Sequence, residues 1–375
     1  MEEPREELTL NEIEEKIFTA SQWQLIWWKF LRHKIAVASL IILVIFYLSA
    51  IFAEFIAPYN PNREEVLYTY CSPIRIHFID EKGRFHLRPF VYKVEKIFDP
   101  LTLTETYKED KSTKYFIKFL IHGDPYKLWG VFSLDLHLFG VEGDGRIFLF
   151  GTDKMGRDLF SRVVYGSRIS LSIGLVGIAI SLILGILIGG VSGYFGGTTD
   201  MIIQRIIEFL RSIPTLPLWM ALSVALPPYW PITKVYFGIT VILSLLGWPG
   251  LARVIRGKFM ALKEEDFVMA ARLVGASDLR IIFIHLLPSF YSHIIASVTL
   301  SIPGMILGET SLSFLGLGLQ PPAISWGVLL KDAQSIHSLA NCPWLLIPGI
   351  FIAITVLAFN FLGDGLRDAA DPYSR

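Results

Sequence analysis

Uncharged apolar runs recur along this chain at roughly the length of a bilayer crossing. A hydrocarbon core of about 30 Å needs about 20 helical residues. Six runs approach that length and predict six transmembrane helices: Ile35–Ala53 with a flank to residue 57, Ile169–Tyr194, about Met201–Leu226, Val235–Ala252 continuing to about residue 256, Leu286–Gly308 and Pro343–Leu362. The third run has a polar first half and is the least apolar of the six. Polar stretches divide the chain into an amino-terminal segment 1–34, a first helix 35–57, a long insertion 58–168, a helical core 169–362 and a tail 363–375. The pattern is that of an all-α polytopic membrane protein.

Composition narrows the class further. Of 375 residues, 53% are hydrophobic and 18% are charged, whereas soluble domains carry about 25% charged residues. Lys+Arg and Asp+Glu both number 34, and this balance excludes a basic nucleic-acid binder. Two cysteines, Cys71 and Cys342, cannot build a disulfide framework or a structural zinc site. The acidic first 34 residues are too long and too acidic for a signal-peptide leader, so the first apolar run is expected to be retained as an anchor. Trp23–Phe30, amphipathic and Trp-bearing, is expected to lie on the lipid surface.

Orientation follows from basic residues in the short loops. Arg5, Lys16, Lys29, Arg32 and Lys34 precede the first span, and Arg253, Arg256, Lys258, Lys263, Arg272 and Arg280 lie between the fourth and fifth. With those stretches inside, the two short outer loops keep only Lys234 and Lys331. Both termini are then cytoplasmic, and the insertion 58–168 is extracytoplasmic. Within it, Ile74–Asp80 and Arg84–Val94 alternate β-formers around Glu81-Lys82-Gly83 and predict a β-hairpin, with a further apolar-aromatic stretch at Tyr115–His122. An α/β or β-rich unit is expected there, either a docking domain for an outside partner or a structural cap. Cys71 and Cys342 fall on the same outer side, where a disulfide is allowed but not required.

The membrane runs carry their own signals. Gly185, Gly189 and Gly193 repeat every four residues and mark a close helix contact. Arg205, Glu208 and Arg211 share one helical face, and Pro214 and Pro217 interrupt the helix that follows. Charges cost roughly 2.5–3.5 kcal/mol each at the bilayer centre. These therefore form a gate or pathway mouth, or they snorkel to the interface. Glu309 opens a Gly-rich apolar stretch to Gly318 that is expected to be a re-entrant or surface segment rather than regular helix. Its carboxyl is read as a structural hydrogen-bond group rather than a proton relay.

Between the fourth and fifth spans the pattern is helix, stop, helix, over residues 264–286. Glu264, Glu265 and Asp266 suit a helix N-terminus. Gly275 suits a left-handed C-cap, Ser277 or Asp278 an N-cap, and Pro288 a break before the next span. A sharply bent pair of short helices makes a plug for a partner's groove.

Here the chain resembles a known family. Ala270-Ala271, Gly275 and Leu287-Pro288 resemble the cytoplasmic "EAA…G…LP" loop of permease subunits in binding-protein-dependent ABC importers, with Met269 where Glu is usual and His285 where many members have Ile. Gly151-Thr152-Asp153, then Gly156-Arg157-Asp158 and Ser161-Arg162, resembles the segment before the second span in C-type dipeptide and oligopeptide permeases. Gly193-Tyr194-Phe195-Gly196-Gly197 with Asp200, Leu312–Gly318 with Trp326-Gly327, and Gly363-Asp364-Gly365-Leu366-Arg367-Asp368 with Asp371-Pro372 agree with it. The likeness spans about 20–60 and 148–373 and is weak over 60–147.

The resemblance implies a type I ABC importer permease fold, half of a pathway shared with a second permease subunit. It implies two ABC ATPase subunits that use ATP and Mg, an extracytoplasmic solute-binding protein, and placement in the inner membrane of a prokaryote. ATPase coupling would then fall on Glu265, Asp266, Ala270, Ala271, Arg272, Gly275, Ala276, Ser277, Asp278, Arg280, His285, Leu287 and Pro288. The chain has no phosphate-binding G-x-x-x-x-G-K-[ST] of its own, so no cofactor, metal or catalytic residue is assigned to it. Peptides are the expected cargo, with nickel complexes or oligosaccharides as alternatives in the same machinery. Two other classes compete. An ion-driven transporter would need midplane ionisable residues and internal repeats, and only Glu309 and the Arg205–Arg211 group come near. A membrane enzyme would need a motif such as H-E-x-x-H or G-x-S-x-G, and neither occurs.

Overall fold

The computed structural model describes residues 19–99 and 104–370; Arg5 and Lys16 of the amino-terminal segment, and Asp371-Pro372, lie outside them. A surface helix α1 (Gln22–Arg32) starts from a reciprocal cap, in which Ser21 Oγ accepts from the Gln24 amide and the Ser21 amide donates to Gln24 Oε1. Trp23, Trp27 and Trp28 are exposed while Phe30 is buried, so the helix has one packed face and one open aromatic face. His33 Nδ1 then accepts from the Ala36 amide and caps α2 (Lys34–Ile51), the first apolar helix.

The insertion folds as a four-stranded antiparallel sheet in chain order: β1 (His77–Ile79), β2 (Phe85–Asp99), β3 (Thr104–Leu128) and β4 (Phe132–Val141). The predicted hairpin is β1–β2. Its turn is held by Asp80, whose Oδ1 accepts from the amides of Lys82 and Arg84, each at 2.9 Å. Lys114 of β3, 2.8 Å from Asp80 Oδ2, and the Arg84 amide hold this carboxyl far below the usual carboxylate range. Tyr115–His122 lies within β3, with Val91 opposite Tyr115 and Phe119 opposite Phe139. Val91, Ile117, Ile147, Phe148 and Cys71 form the core beneath the sheet. Cys71 and Cys342 are both buried and both free, so no disulfide joins them.

Five helices among the described residues are long and apolar enough to cross a membrane. The second, α3 (Leu159–Phe195), starts ten residues before the apolar run because its charges are neutralised rather than excluded. Arg168 pairs with Glu54 and donates to the carbonyl oxygen of Ala50. At about 1.5 Å per residue its 37 residues span about 55 Å, well beyond the hydrocarbon core. It packs along α6 (Ile232–Leu262) through the predicted glycine stripe. A Cβ on Gly189 would lie 2.8 Å from Ala252 Cα, and one on Gly193 2.7 Å from Phe259 Cβ. Ser244 Oγ donates to the Gly177 carbonyl and Ser181 Oγ to that of Ser244, both at 3.0 Å.

The third predicted span is not one helix. It divides into amphipathic α4 (Gly197–Ser212) and the short apolar α5 (Thr215–Val224), separated where Ile213 and Pro214 turn extended. Pro214 makes the break; Pro217 does not, because it sits in the first turn of α5, where its missing amide costs no helical bond. Beyond α6, α7 (Asp266–Leu273) ends at Gly275. From Asp278 the chain runs through a wider turn over Ile281–Leu286 and a tighter one over Leu287–Phe290. The break expected at Pro288 falls two residues later, where Phe290 leaves helical backbone at φ -133° and ψ 27° and starts α8 (Tyr291–Phe314). Residues 309–314 are helical too, and the expected irregular segment begins only at Leu315, with Gly316 at φ +78°. After α9 (Trp326–Lys331) and α10 (Ile336–Asn341), α11 (Ile347–Ala370) runs eight residues past the predicted end of the last span, so most of the expected tail is helix.

Candidate functional site

The helix pair after α6 is built on an apolar seat. Val268 and Ala271 of α7 and Ile281, Ile282 and Leu286 beyond the turn are buried against Ile255 and Phe259 of α6 and Phe290 and Ile294. Between the two arms, Gly275 takes φ +81°, the left-handed value that a glycine C-cap adopts. Its amide and that of Ala276 donate to the carbonyls of Arg272 and Ala271, at 2.9 and 3.0 Å. Glu265 and Ser277 occupy the two N-cap positions with backbone in the extended region, and neither side chain makes a capping bond. Leu273, Val274 and Leu279 crown the turn, 89%, 85% and 68% exposed. Such a cluster of exposed aliphatic side chains is the mark of a surface awaiting a partner. Glu265, Asp266, Ala270, Arg272, Ser277, Asp278 and Arg280 surround it and are exposed, whereas His285 and Ala276 are half-buried and Leu287 is buried.

A polar node joins this pair to the helical core. The Tyr194 hydroxyl, at the end of α3, donates to Asp278 Oδ1 at 2.6 Å. The Arg272 guanidinium lies over the Tyr194 ring, 5.5 Å from its centroid. Nearby, Asp200 in the first turn of α4 pairs with Arg256 of α6 and accepts from Ser192 of α3. Tyr194 and Asp200 were legible only as members of a glycine-rich motif; nothing in their spacing pointed to Asp278, 84 residues away, or to Arg256, 56 away.

The segment before α3 is a compact polar knot. Asp153 accepts from the amides of Met155 and Arg157 and pairs with Arg157 at 2.7 Å and the buried Arg162 at 3.5 Å. Thr152 Oγ accepts from the Cys71 amide and donates to the Tyr68 carbonyl. Asp158 N-caps α3 by accepting from the Ser161 amide at 2.8 Å, and burial pushes its carboxyl up to about 7. Gly151 and Gly156 are the turn positions of this knot, both at positive φ. These residues fasten the sheet unit to α3.

The gate candidates do not converge. Arg205 and Glu208 form an exposed pair at 2.7 Å, and Arg211 and Pro214 are exposed further along. Glu309 is fully buried elsewhere, accepting from Ser313 Oγ at 2.8 Å and Ser325 Oγ at 2.7 Å, which ties α8 to the start of α9. Among the described residues no three His, Cys, Asp or Glu side chains gather as a metal site.

The family profile described as the binding-protein-dependent transport system inner membrane component matches residues 181–375. The profile for the N-terminal TM domain of oligopeptide transport permease C matches residues 21–73. The dipeptide transport system permease protein DppC of Bacillus subtilis is 43% identical over 228 residues, 60% of this chain and 69% of that protein. The oligopeptide transport system permease protein OppC of Haemophilus influenzae is 43% identical over 227 residues, 60% of this chain and 70% of that protein. Among solved structures, an inward-facing MetNI methionine ABC transporter aligns at TM-score 0.44 and 17% identity, covering 56% of this chain and 96% of that one. The chain belongs to the binding-protein-dependent transport system inner membrane components, in the branch of C-type dipeptide and oligopeptide permeases, and is a multi-pass inner-membrane transport subunit.

Proposed function

We propose that this chain forms half of a membrane pathway for peptides, beside a second permease subunit, and that separate ATPase subunits drive it. The observation that carries the reading is the exposed aliphatic crown Leu273, Val274 and Leu279 on a helix pair seated against α6 by apolar contacts. A nucleotide-driven partner gripping that crown moves α6 and the helix after Gly275 as rigid bodies. Cargo follows from the relatives, which are named as dipeptide and oligopeptide permeases. ATP and Mg act on the ATPase subunits, and a solute-binding protein delivers cargo at the outer face.

In this reading the helix pair and both termini are cytoplasmic and the β-sheet unit is extracytoplasmic, as the basic residues of the short loops favour. The broken pair α4–α5 supplies a sixth crossing with the five long helices. Its extended residues 213–214 leave backbone groups that only protein or water can satisfy within a membrane, which suits a pathway wall. The test is reconstitution of the full complex in liposomes with its binding protein. ATP-dependent uptake of labelled peptide that survives dissipation of ion gradients is expected. Uptake that needs an ion gradient, or that occurs for nickel complexes or oligosaccharides and not peptides, would reject the proposal.

A further inference from the structure

The two arms around Gly275 are joined by only four linking residues, 274–277, between α7 and the helix that starts at Asp278. Seats made of aliphatic contacts such as Val268 on Ile255 are non-directional and allow sliding. A partner pushing on the crown can therefore change the angle between the arms, unless something fixes both at once. One side chain does so. Tyr194 contacts Arg272 on the first arm through its ring and Asp278 on the second through its hydroxyl, while its own backbone is the last turn of α3. It is 7% exposed, so packing fixes its side chain between the two arms. Two residues later Gly196 and Gly197 both take positive φ, +66° and +56°, and turn the chain into α4. There Asp200 ties the start of α4 to α6 and α3.

We propose that Tyr194 is the positioning residue that makes the helix pair and α3 one lever, so that displacement of the crown reaches α3 and, across the Gly196-Gly197 turn, α4. This rests on the coupling role proposed above. Tyr194 touches no nucleotide and no cargo; it acts by holding Arg272 and Asp278 at fixed positions on either side of the turn. The contact is directional because a hydroxyl donating to a carboxylate is a charge-assisted bond with a narrow angular range.

The test uses the complete transporter with its binding protein in liposomes, and compares wild type with Tyr194→Phe, which keeps the ring and loses the hydroxyl. Expected is basal ATPase activity within about twofold of wild type and peptide imported per ATP lowered about tenfold, the loosening that one lost charge-assisted bond permits. Asp278→Asn, which still accepts from the hydroxyl but without the charge, should fall between wild type and Tyr194→Phe, and Asp278→Ala should lower peptide per ATP as Tyr194→Phe does. A second readout is independent of transport. Spin labels at the exposed positions 195 and 267, outside the crown, should show one narrow distance distribution in wild type and a broadened one in Tyr194→Phe. Wild-type peptide per ATP in Tyr194→Phe, or a loss there that Asp278→Ala does not share, overturns the proposal. An unchanged label distribution overturns it as well. A wild-type complex that imports no peptide on ATP strikes the proposed function instead, and the label distances then still decide whether the tie exists.

Discussion

Replacing Gly275 tests the plug with a cost that can be worked from geometry. Its φ of +81° lies where L side chains rarely go, yet a Cβ built there meets nothing within 4 Å. Any penalty is therefore torsional and not a clash. A non-glycine residue in the left-handed region costs roughly 1–2 kcal/mol, less for Asn, whose short polar side chain tolerates it. A β-branched residue pays most, because its two γ substituents crowd the following carbonyl. At about 1.4 kcal/mol per tenfold, Ala lowers the share of correctly turned helix pairs about 5- to 30-fold relative to opened ones. Peptide imported per ATP in the reconstituted complex should fall in the order Gly, Asn, Ala, Val, with co-purification of the ATPase subunits measured in parallel. Side-chain volume runs differently, since Asn is larger than Ala. An Asn variant worse than Ala would show that a steric clash at the docking surface, and not the turn, governs coupling. Normal coupling in Gly275→Val would refute the bent plug outright.

Other parts of the fold give sharper stability tests. Glu309→Ala should leave the Ser313 and Ser325 hydroxyls without their acceptor, at about 1–3 kcal/mol each, and Glu309→Gln should recover most of the lost melting temperature. Gly189→Val should abolish assembly of the helical core in a detergent gel-filtration assay, because its Cβ would lie 2.8 Å from Ala252 Cα; a normal elution profile would mean that α3 and α6 can separate. Asp80 is held below its unfolded value, so its contribution is present above about pH 4 and lost as pH falls below it. Amide exchange at Lys82 and Arg84, corrected for intrinsic rate, should rise on acidification in wild type and be flat with pH in Asp80→Asn. Glu208→Lys should change the stability of the isolated chain by less than about 1 kcal/mol, since its Arg205 pair is exposed. Any larger effect should appear only in co-purification with the second permease subunit.

Hydropathy located the membrane helices and misplaced their ends, for a reason visible at α3. A window of apolar residues stops at Arg168, but the helix does not, because Arg168 is answered by Glu54 and Arg162 by Asp153 and the Pro61 carbonyl. Those partners lie far off in sequence, and no window holds both members of a pair. Proline reading placed the breaks more closely. Pro288 was expected to end a helix before the fifth span, and after a widened and a tightened turn the chain leaves helical backbone two residues on, at Phe290, with Ser289 Oγ donating to the Leu286 carbonyl. Pro214 did act as a breaker, because both it and Ile213 adopt extended backbone. The bent pair around Gly275 was legible because it is local: a glycine, two acidic starts and two short apolar faces within 25 residues. Its fastening to α3 was not, since Tyr194 and Asp278 meet only once α6 has returned the chain to the same end of the bundle.

The placement of these ties says which part of the chain is free to move. Helix α3 is anchored at one end by the knot around Asp153 and Asp158, at the other by Tyr194, and along its length by glycine and serine contacts with α6. A strut fixed at both ends and packed to crystal-like density along its middle moves as a body or not at all. Helices α4 and α5 have less of that support. Asp200 and Gln204 fasten the first two turns of α4, Ile207 alone among its residues is fully buried against Trp248 and Ala252, and the link at 213–214 removes helical continuity with α5. A displacement delivered to α3 and α6 from the helix pair therefore meets its weakest joint at Ile213-Pro214. The exposed Arg205–Glu208 pair and Arg211 sit on that loosely held helix, whereas the buried Glu309 holds α8 to the start of α9 through its two hydroxyl partners.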